Sequence, residues 1–131
     1  LKFRYTILYV DDVPGTVDFF RRAFGLPLGM LHEGGDYAEL ATGGTRLAFS
    51  STALMRQLGK TPAAPSINAP TFEIAFEVAD VAGALARALD AGATLVQDLR
   101  HEPWGQTTSY VSDPNGYLIE ICSPVQAPDE S

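Results

Sequence analysis

The sequence predicts an α+β fold: two tandem βαβββ modules forming a curved mixed sheet that encloses a cavity. The first observation behind this is a repeat. Tyr5-Thr6-Ile7-Leu8-Tyr9-Val10-Asp11-Asp12-Val13 returns, offset by 68 residues, as Glu73-Ile74-Ala75-Phe76-Glu77-Val78-Ala79-Asp80-Val81. Each copy alternates like a strand and ends in Val-x-Asp-Val. The second observation is that each copy leads into a helix-period stretch and then into short strand-like runs separated by glycine-containing turns. Four strands covered by one helix leave a sheet face open, and two such units can pair around a cavity.

Phe3 to Val10 places Tyr5, Ile7 and Tyr9 on one face and Thr6, Leu8 and Val10 on the other. Both sets are largely apolar, which predicts a strand covered on both sides. Asp12 is placed to cap the next helix, and Pro14 sits where a first-turn proline is tolerated. Val17, Phe20 and Phe24 fall at helical spacing, and Gly25 suits a left-handed C-cap. Leu28 to Leu31, Tyr37 to Thr42 and Thr45 to Ser50 read as strands, with Gly34-Gly35 and Gly43-Gly44 as the turns between them. Ser51 to Leu58 reads as a short helical or irregular piece.

Residues 1–131 are read as a single domain, with module 1 over about residues 1–58, a proline-rich linker over about 59–71 and module 2 over about 72–124. In module 2, Phe72 to Val78 is a strand and Val81 to Ala91 a helix ended by Gly92. Thr94 to Gln97, Thr107 to Ser112 and Tyr117 to Cys122 are strands. Asp113-Pro114-Asn115-Gly116 makes a tight turn, in which Asn-Gly is expected to supply positive φ values. The tail after Pro124 is polar and expected to fray.

Composition narrows the function classes. With 46% hydrophobic and 19% charged residues the chain is a folded domain rather than a disordered one. No apolar run is long enough to span a bilayer, and no basic stretch followed by an apolar core opens the sequence, so neither a membrane nor a secretory route is expected. A lone cysteine, Cys122, makes no internal disulfide, which fits a cytoplasmic location, and a packed thiol is its default role. The net charge of −7 argues against nucleic acid and mildly favours a cationic or zwitterionic ligand.

Several residues suit a small-molecule site. Tyr5, Tyr9 and Tyr37 could line the open face of module 1 or fill it themselves. Glu39 could point inward with Tyr37 or sit at the rim. Trp104, in the loop His101-Glu102-Pro103-Trp104-Gly105-Gln106, could close over a planar ligand or anchor the loop on the sheet edge; the anchor is favoured. Strand parity puts Glu120 and Cys122 on the face away from the helix, and likewise Glu73 and Glu77 on the face of their strand away from the helix. Glu120 and Glu73 read either as a general acid/base pair or as carboxylates recognising a cationic group. The structural alternative for Glu120 is a bond to a backbone N–H, to Tyr5 or to Arg46.

Ile7-Leu8-Tyr9-Val10-Asp11-Asp12-Val13, Phe19-Phe20-Arg21-Arg22-Ala23-Phe24-Gly25-Leu26, Ala91-Gly92-Ala93 and Asp113-Pro114-Asn115-Gly116-Tyr117-Leu118-Ile119-Glu120-Ile121 carry a family likeness. This pattern resembles the vicinal oxygen chelate superfamily, which includes glyoxalase I, extradiol dioxygenases, and fosfomycin and bleomycin resistance proteins. The resemblance covers nearly the whole chain. It specifies the fold well and the function poorly, because that superfamily holds lyases, isomerases, dioxygenases, thiol transferases and binding proteins.

Metal-using members place ligands at the start of the first strand and within the last strand of each half. Carried onto this sequence, those positions are Tyr5, Ala48, Glu73 and Glu120, with Ala48 found by aligning Gly44 with Gly116. The metalloenzymes usually show His or Gln, Glu, His and Glu there. His32 and His101 both fall outside the set and read as turn or exposed residues. No transition metal and no cofactor are therefore expected, while a hard cation such as Mg²⁺ or Ca²⁺ is left open.

Three readings are open. One is a metal-independent protein that binds a small cationic or aromatic molecule, similar to the bleomycin resistance branch. The alternative is a glyoxalase-like lyase or isomerase using Glu120 and Glu73 as acid/base residues or as ligands of a nonstandard metal. The third is a domain that has kept the fold and lost both roles. The resemblance also implies a two-fold homodimer.

Overall fold

In the computed structural model, which describes residues 1–125, the chain divides into two units, one spanning Leu1–Pro65 and the other beginning at Ser66. The expected fraying of the tail concerns residues that lie largely outside the described ones.

The first unit runs β1 (Tyr5–Val10), α1 (Val13–Phe24), β2 (Leu28–Leu31), β3 (Tyr37–Leu40), β4 (Arg46–Ser51) and α2 (Thr52–Gln57). Its sheet has the order β1-β4-β3-β2, with β1 parallel to β4 and the other pairs antiparallel. The second unit repeats this plan with β5 (Glu73–Glu77), α3 (Val81–Asp90), β6 (Thr94–His101), β7 (Thr107–Ser112) and β8 (Leu118–Cys122), in the order β5-β8-β7-β6. The α+β class and the tandem βαβββ modules are as the sequence predicts.

Helices α1 and α3 start on the same device. Asp12 and Asp80 each accept a backbone N–H three residues on, from Gly15 and Gly83, at 3.0 Å. A Cβ at either glycine would collide with the capping carboxylate, so Asp-x-x-Gly is the repeated signature of the helix start. Gly25, at φ 69°, closes α1 as a left-handed cap.

The buried stripe of α1 is Val13, Thr16, Phe19, Phe20 and Ala23, displaced from the expected Val17, Phe20 and Phe24. Phe20 is common to both, and it sits in an aromatic cluster with Phe19 (5.3 Å, edge-on) and with Phe49 of β4 (5.2 Å). Phe19, Phe20 and Phe49 are all essentially buried, and with Leu8, Val10, Ala38 and Leu40 they form the core of this unit.

Cover on both sides of β1 does not hold within the first unit. Leu8 and Val10 are buried beneath the helix, but Tyr5 and Ile7 are 41% and 44% exposed. The apolar side chains of this second face have no cover within the first unit.

Two further expectations are corrected. β6 continues past Gln97 to His101, carried through register irregularities between Leu95 and Gln97 and between Gln97 and Arg100. His101 is thus a strand end rather than a loop residue. Of Asn115-Gly116, only Gly116 (φ 104°) has positive φ. The turn is set instead by buried Asp113, whose Oδ1 accepts from the backbone N–H groups of Asn115, Gly116 and Tyr117, while its Oδ2 accepts from the Asn115 side chain. That local carboxylate replaces the mirror-image turn a two-residue hairpin would use.

Candidate functional site

Strand alternation sends one set of side chains from each sheet toward its helix and the other set to the open face. The registers place the repeats in correspondence: Ile7 lies beside Ala48 in the first unit, and Ala75 beside Glu120 in the second. Ala48 and Glu120 are therefore equivalent positions, as the Gly44–Gly116 alignment predicts.

On the open face of the first unit, Ala48 offers only a fully buried methyl. The acid of this face stands one strand away. Glu39 of β3, directly across from Ala48, is 8% exposed and accepts hydrogen bonds from the Tyr37 hydroxyl at 2.9 Å and from Arg46 Nη1 at 3.0 Å. Glu39 is thus buried, with its carboxylate paired to both Tyr37 and Arg46. Burial and the bond to this carboxylate push the Tyr37 phenol up to about 12. Arg46 can lie across the sheet because β2 carries Gly29, where a Cβ would come within 2.7 Å of its Nη1. At the far end of β1, the Lys60 ammonium lies 3.3 Å from the Tyr9 hydroxyl and 5.6 Å from the centre of its ring.

On the open face of the second unit, Tyr110 of β7 lies across from Glu120 and donates its hydroxyl to Glu120 Oε2 at 2.5 Å. This partner is none of those expected: the bond comes from a neighbouring strand rather than from a backbone N–H, Tyr5 or Arg46. Burial, then the Glu120 carboxylate and, more weakly, Glu73 raise the Tyr110 phenol well above its ordinary value. Tyr110 therefore stays a neutral donor to Glu120. Cys122, two residues beyond Glu120, is pushed up to about 11 by burial and by Glu120. It stays a thiol at neutral pH and is no nucleophile, in line with the packed role expected of it. Glu73 and Glu77 of β5 are exposed.

The β6–β7 connection holds a third group. Trp104 is 56% exposed, so it does not anchor the loop by burial. Its indole N–H donates to Gln106 Oε1 at 2.7 Å, and Gln106 Nε2 in turn donates to the Ser123 carbonyl at 3.0 Å. A ring of polar bonds thus holds the loop in place of the expected apolar packing. Beside it opens a cavity of about 530 Å³, lined in part by His101, Glu102, Gln106, Thr107, Ser123 and Val125.

The donor set for a transition metal does not fit. Ala48 has no donor atom, no histidine occupies any of the four positions, and His32 is exposed beside the β2–β3 turn. Among the described residues no group of three or more His, Cys, Asp or Glu side chains is arranged to hold a metal ion.

A sequence model of the Glyoxalase/Bleomycin resistance protein/Dioxygenase superfamily matches residues 2–121. The chain belongs to this superfamily. Its fold is that of a glyoxalase-related enzyme from Fulvimarina pelagi, with a TM-score of 0.80 at 21% identity over 92% of this chain and 86% of that one. It is also similar to TioX from a Micromonospora species, with a TM-score of 0.71 at 27% identity, covering 94% and 98% of the two chains. Among curated relatives, an uncharacterized protein of Mycobacterium bovis is 32% identical over 124 residues, 91% of this chain and 81% of the relative. No helix among the described residues is long and apolar enough to cross a membrane.

Tyr110 and Arg46 were missed as site residues by reading the sequence. Tyr110 stands on the strand before the Asp113–Gly116 turn, but it is the observed register that pairs it with Glu120. Arg46 had a weak signal in Gly29, whose lack of a side chain makes sense only once the guanidinium is seen above it.

Proposed function

We propose that this superfamily member binds a small organic molecule on its open sheet faces without a transition metal. The observation that carries the proposal is the Tyr110–Glu120 pair. The last-strand glutamate that would ligate a metal already has one oxygen occupied by a neutral phenol, and its equivalent in the other repeat is the methyl of Ala48. Tyr5, Tyr9 and Tyr37 supply aromatic contacts, Glu39 a fixed acceptor already neutralised by Arg46, and Glu73 and Glu120 attraction for a cationic group. The chain's net charge of −7 favours the same ligand class.

The test is elemental analysis combined with ligand binding to chelator-treated protein. Binding that survives chelation supports the proposal. A stoichiometric transition metal that disappears in Glu120→Gln would refute it.

One observation favours a second reading, a lyase or isomerase. The Tyr110 hydroxyl is close enough to both Glu120 and Glu73 to feel each carboxylate, an arrangement suited to moving a proton. Turnover that persists in chelator and is lost in Glu120→Gln would establish that reading.

We further propose a homodimer. Leu28, Met30 and Leu31 of β2 and Leu95, Val96 and Leu99 of β6 are exposed on the outermost strands of their sheets, where water-facing apolar side chains favour association. A monomeric mass by light scattering at micromolar concentration would count against it.

A further inference from the structure

The cavity at the β6–β7 turn is lined by residues of the second unit, and Glu102 in its wall is bonded to Thr108, at the far end of the face that carries Tyr110 and Glu120. Its volume of about 530 Å³ is in the range of small-molecule sites. Its wall contains a charged side chain that the fold has largely withdrawn from water: the Glu102 side chain is 7% exposed. One oxygen, Oε1, accepts from the Thr108 hydroxyl at 3.0 Å and lies 3.3 Å from Arg100 Nε. The other, Oε2, has no partner among the described residues. No fully buried side-chain polar atom there lacks a partner, so Oε2 keeps an accessible surface.

The counter-charge is weak. The Arg100 side chain is 63% exposed, and a pair with one solvated member is screened and worth little. The remaining polar groups are mostly committed to holding the wall. Gln106 spends its carbonyl on Trp104 and its amide on Ser123, and His101 Nδ1 is 3.0 Å from the Thr107 hydroxyl. Pro124 and Val125 add apolar surface, so the carboxylate is the chief charged feature of a partly apolar hollow.

We propose that this cavity is a binding site for a small organic ammonium ion, which donates to Glu102 Oε2 while its apolar body lies against Pro124 and Val125. A carboxylate with an available lone pair, withdrawn from bulk water, favours a charged N–H donor over a neutral one and repels an anion. Trp104, the chain's sole tryptophan, is bonded to Gln106 of the wall and so reports on occupancy.

The experiment is a fluorescence titration with benzylamine, benzyl alcohol and benzoate, paired with amide chemical-shift mapping. Benzylamine is expected to give a saturable change in Trp104 emission, with shifts at Gln106, Thr107 and Ser123. Benzyl alcohol should bind at least about tenfold more weakly, the difference a charge-assisted hydrogen bond makes, and benzoate not at all. Glu102→Gln should weaken benzylamine by a similar factor. Arg100→Ala, at an exposed position with little effect on folding, should tighten it a few-fold at low salt. Shifts at Gln106, Thr107 and Ser123 with Ala75 unmoved would separate this site from the Glu120 end of the sheet face. Equal binding of amine and alcohol, unaltered affinity in Glu102→Gln, or shifts confined to Ala75, Tyr110 and Glu120 would each overturn the proposal.

Discussion

Glu39 and Tyr110 occupy the same place in their respective repeats, one accepting a tyrosine hydroxyl and the other donating one. Glu39 faces Ala48 across β3 and β4, and Tyr110 faces Glu120 across β7 and β8. Each half thus keeps a Tyr–Glu hydrogen bond on its open face, with the acid moved by one strand. Only the first is neutralised by an arginine, Arg46.

The two phenols set an alkaline limit on stability. Both hold their protons above the ordinary tyrosine value of 10, Tyr37 to about 12. A raised folded pKa means that the folded state binds the proton more tightly, so the stabilisation is complete below pH 10 and is lost as pH rises through the raised values. Urea midpoints should fall across this window, and the fall should be shallower in Tyr37→Phe and in Tyr110→Phe. At neutral pH, Tyr110→Phe should cost about 1–2 kcal/mol, the loss of a hydrogen bond to a carboxylate.

Gly29→Ala should displace Arg46. The added methyl meets Nη1 at 2.7 Å and the Glu39 carbonyl oxygen at 3.2 Å, and the flexible guanidinium is the group that gives way. Glu39, with its side chain 11% exposed, then loses its cation. A destabilisation of about 1–3 kcal/mol is expected by urea denaturation. Arg46→Ala should remove most of the further effect of Gly29→Ala, because the two act through one contact.

Asp113→Ala should cost at least about 3 kcal/mol, since the carboxylate closes its turn with several hydrogen bonds. Asp113→Asn keeps an acceptor for the backbone N–H groups and should cost less. Burial raises the Asp113 pKa, so its stabilisation is greatest when it is protonated and declines as pH rises through the raised value. The advantage of wild type over Asp113→Asn, read from thermal midpoints, should therefore narrow with rising pH.

Phe20→Ala should be the most damaging single truncation in the first unit, at about 3–5 kcal/mol. Phe20 is fully buried and touches the rings of Phe19, Phe24 and Phe49. Chemical denaturation measures the loss directly.

Much of the fold was legible because local signals agreed. The Val-x-Asp-Val repeat marked both strand–helix junctions, Gly25 ended α1, and period-2 alternation placed Glu120 on the face opposite Ile119 and Ile121. Legibility stopped where a residue's role depended on a neighbouring strand. Tyr110 and Arg46 acquire meaning only through Glu120 and Glu39, partners 10 and 7 residues distant that pairing brings together. Trp104 misled for another reason. An aromatic ring beside Pro103 and Gly105 suggests burial, but the indole N–H is satisfied by Gln106 and the ring stays largely in water.

Cys122 gives the chain an internal gauge. Its thiol is 6% exposed and held protonated by its surroundings on β8. An alkylating reagent must wait for that strand to part from its neighbours, because only then does the sulfur meet water and recover its normal acidity. As the sole cysteine in the sequence, it reports without ambiguity. The rate of its modification thus measures how often the strand bearing Glu120 opens, and any ligand seated on that strand will slow the clock.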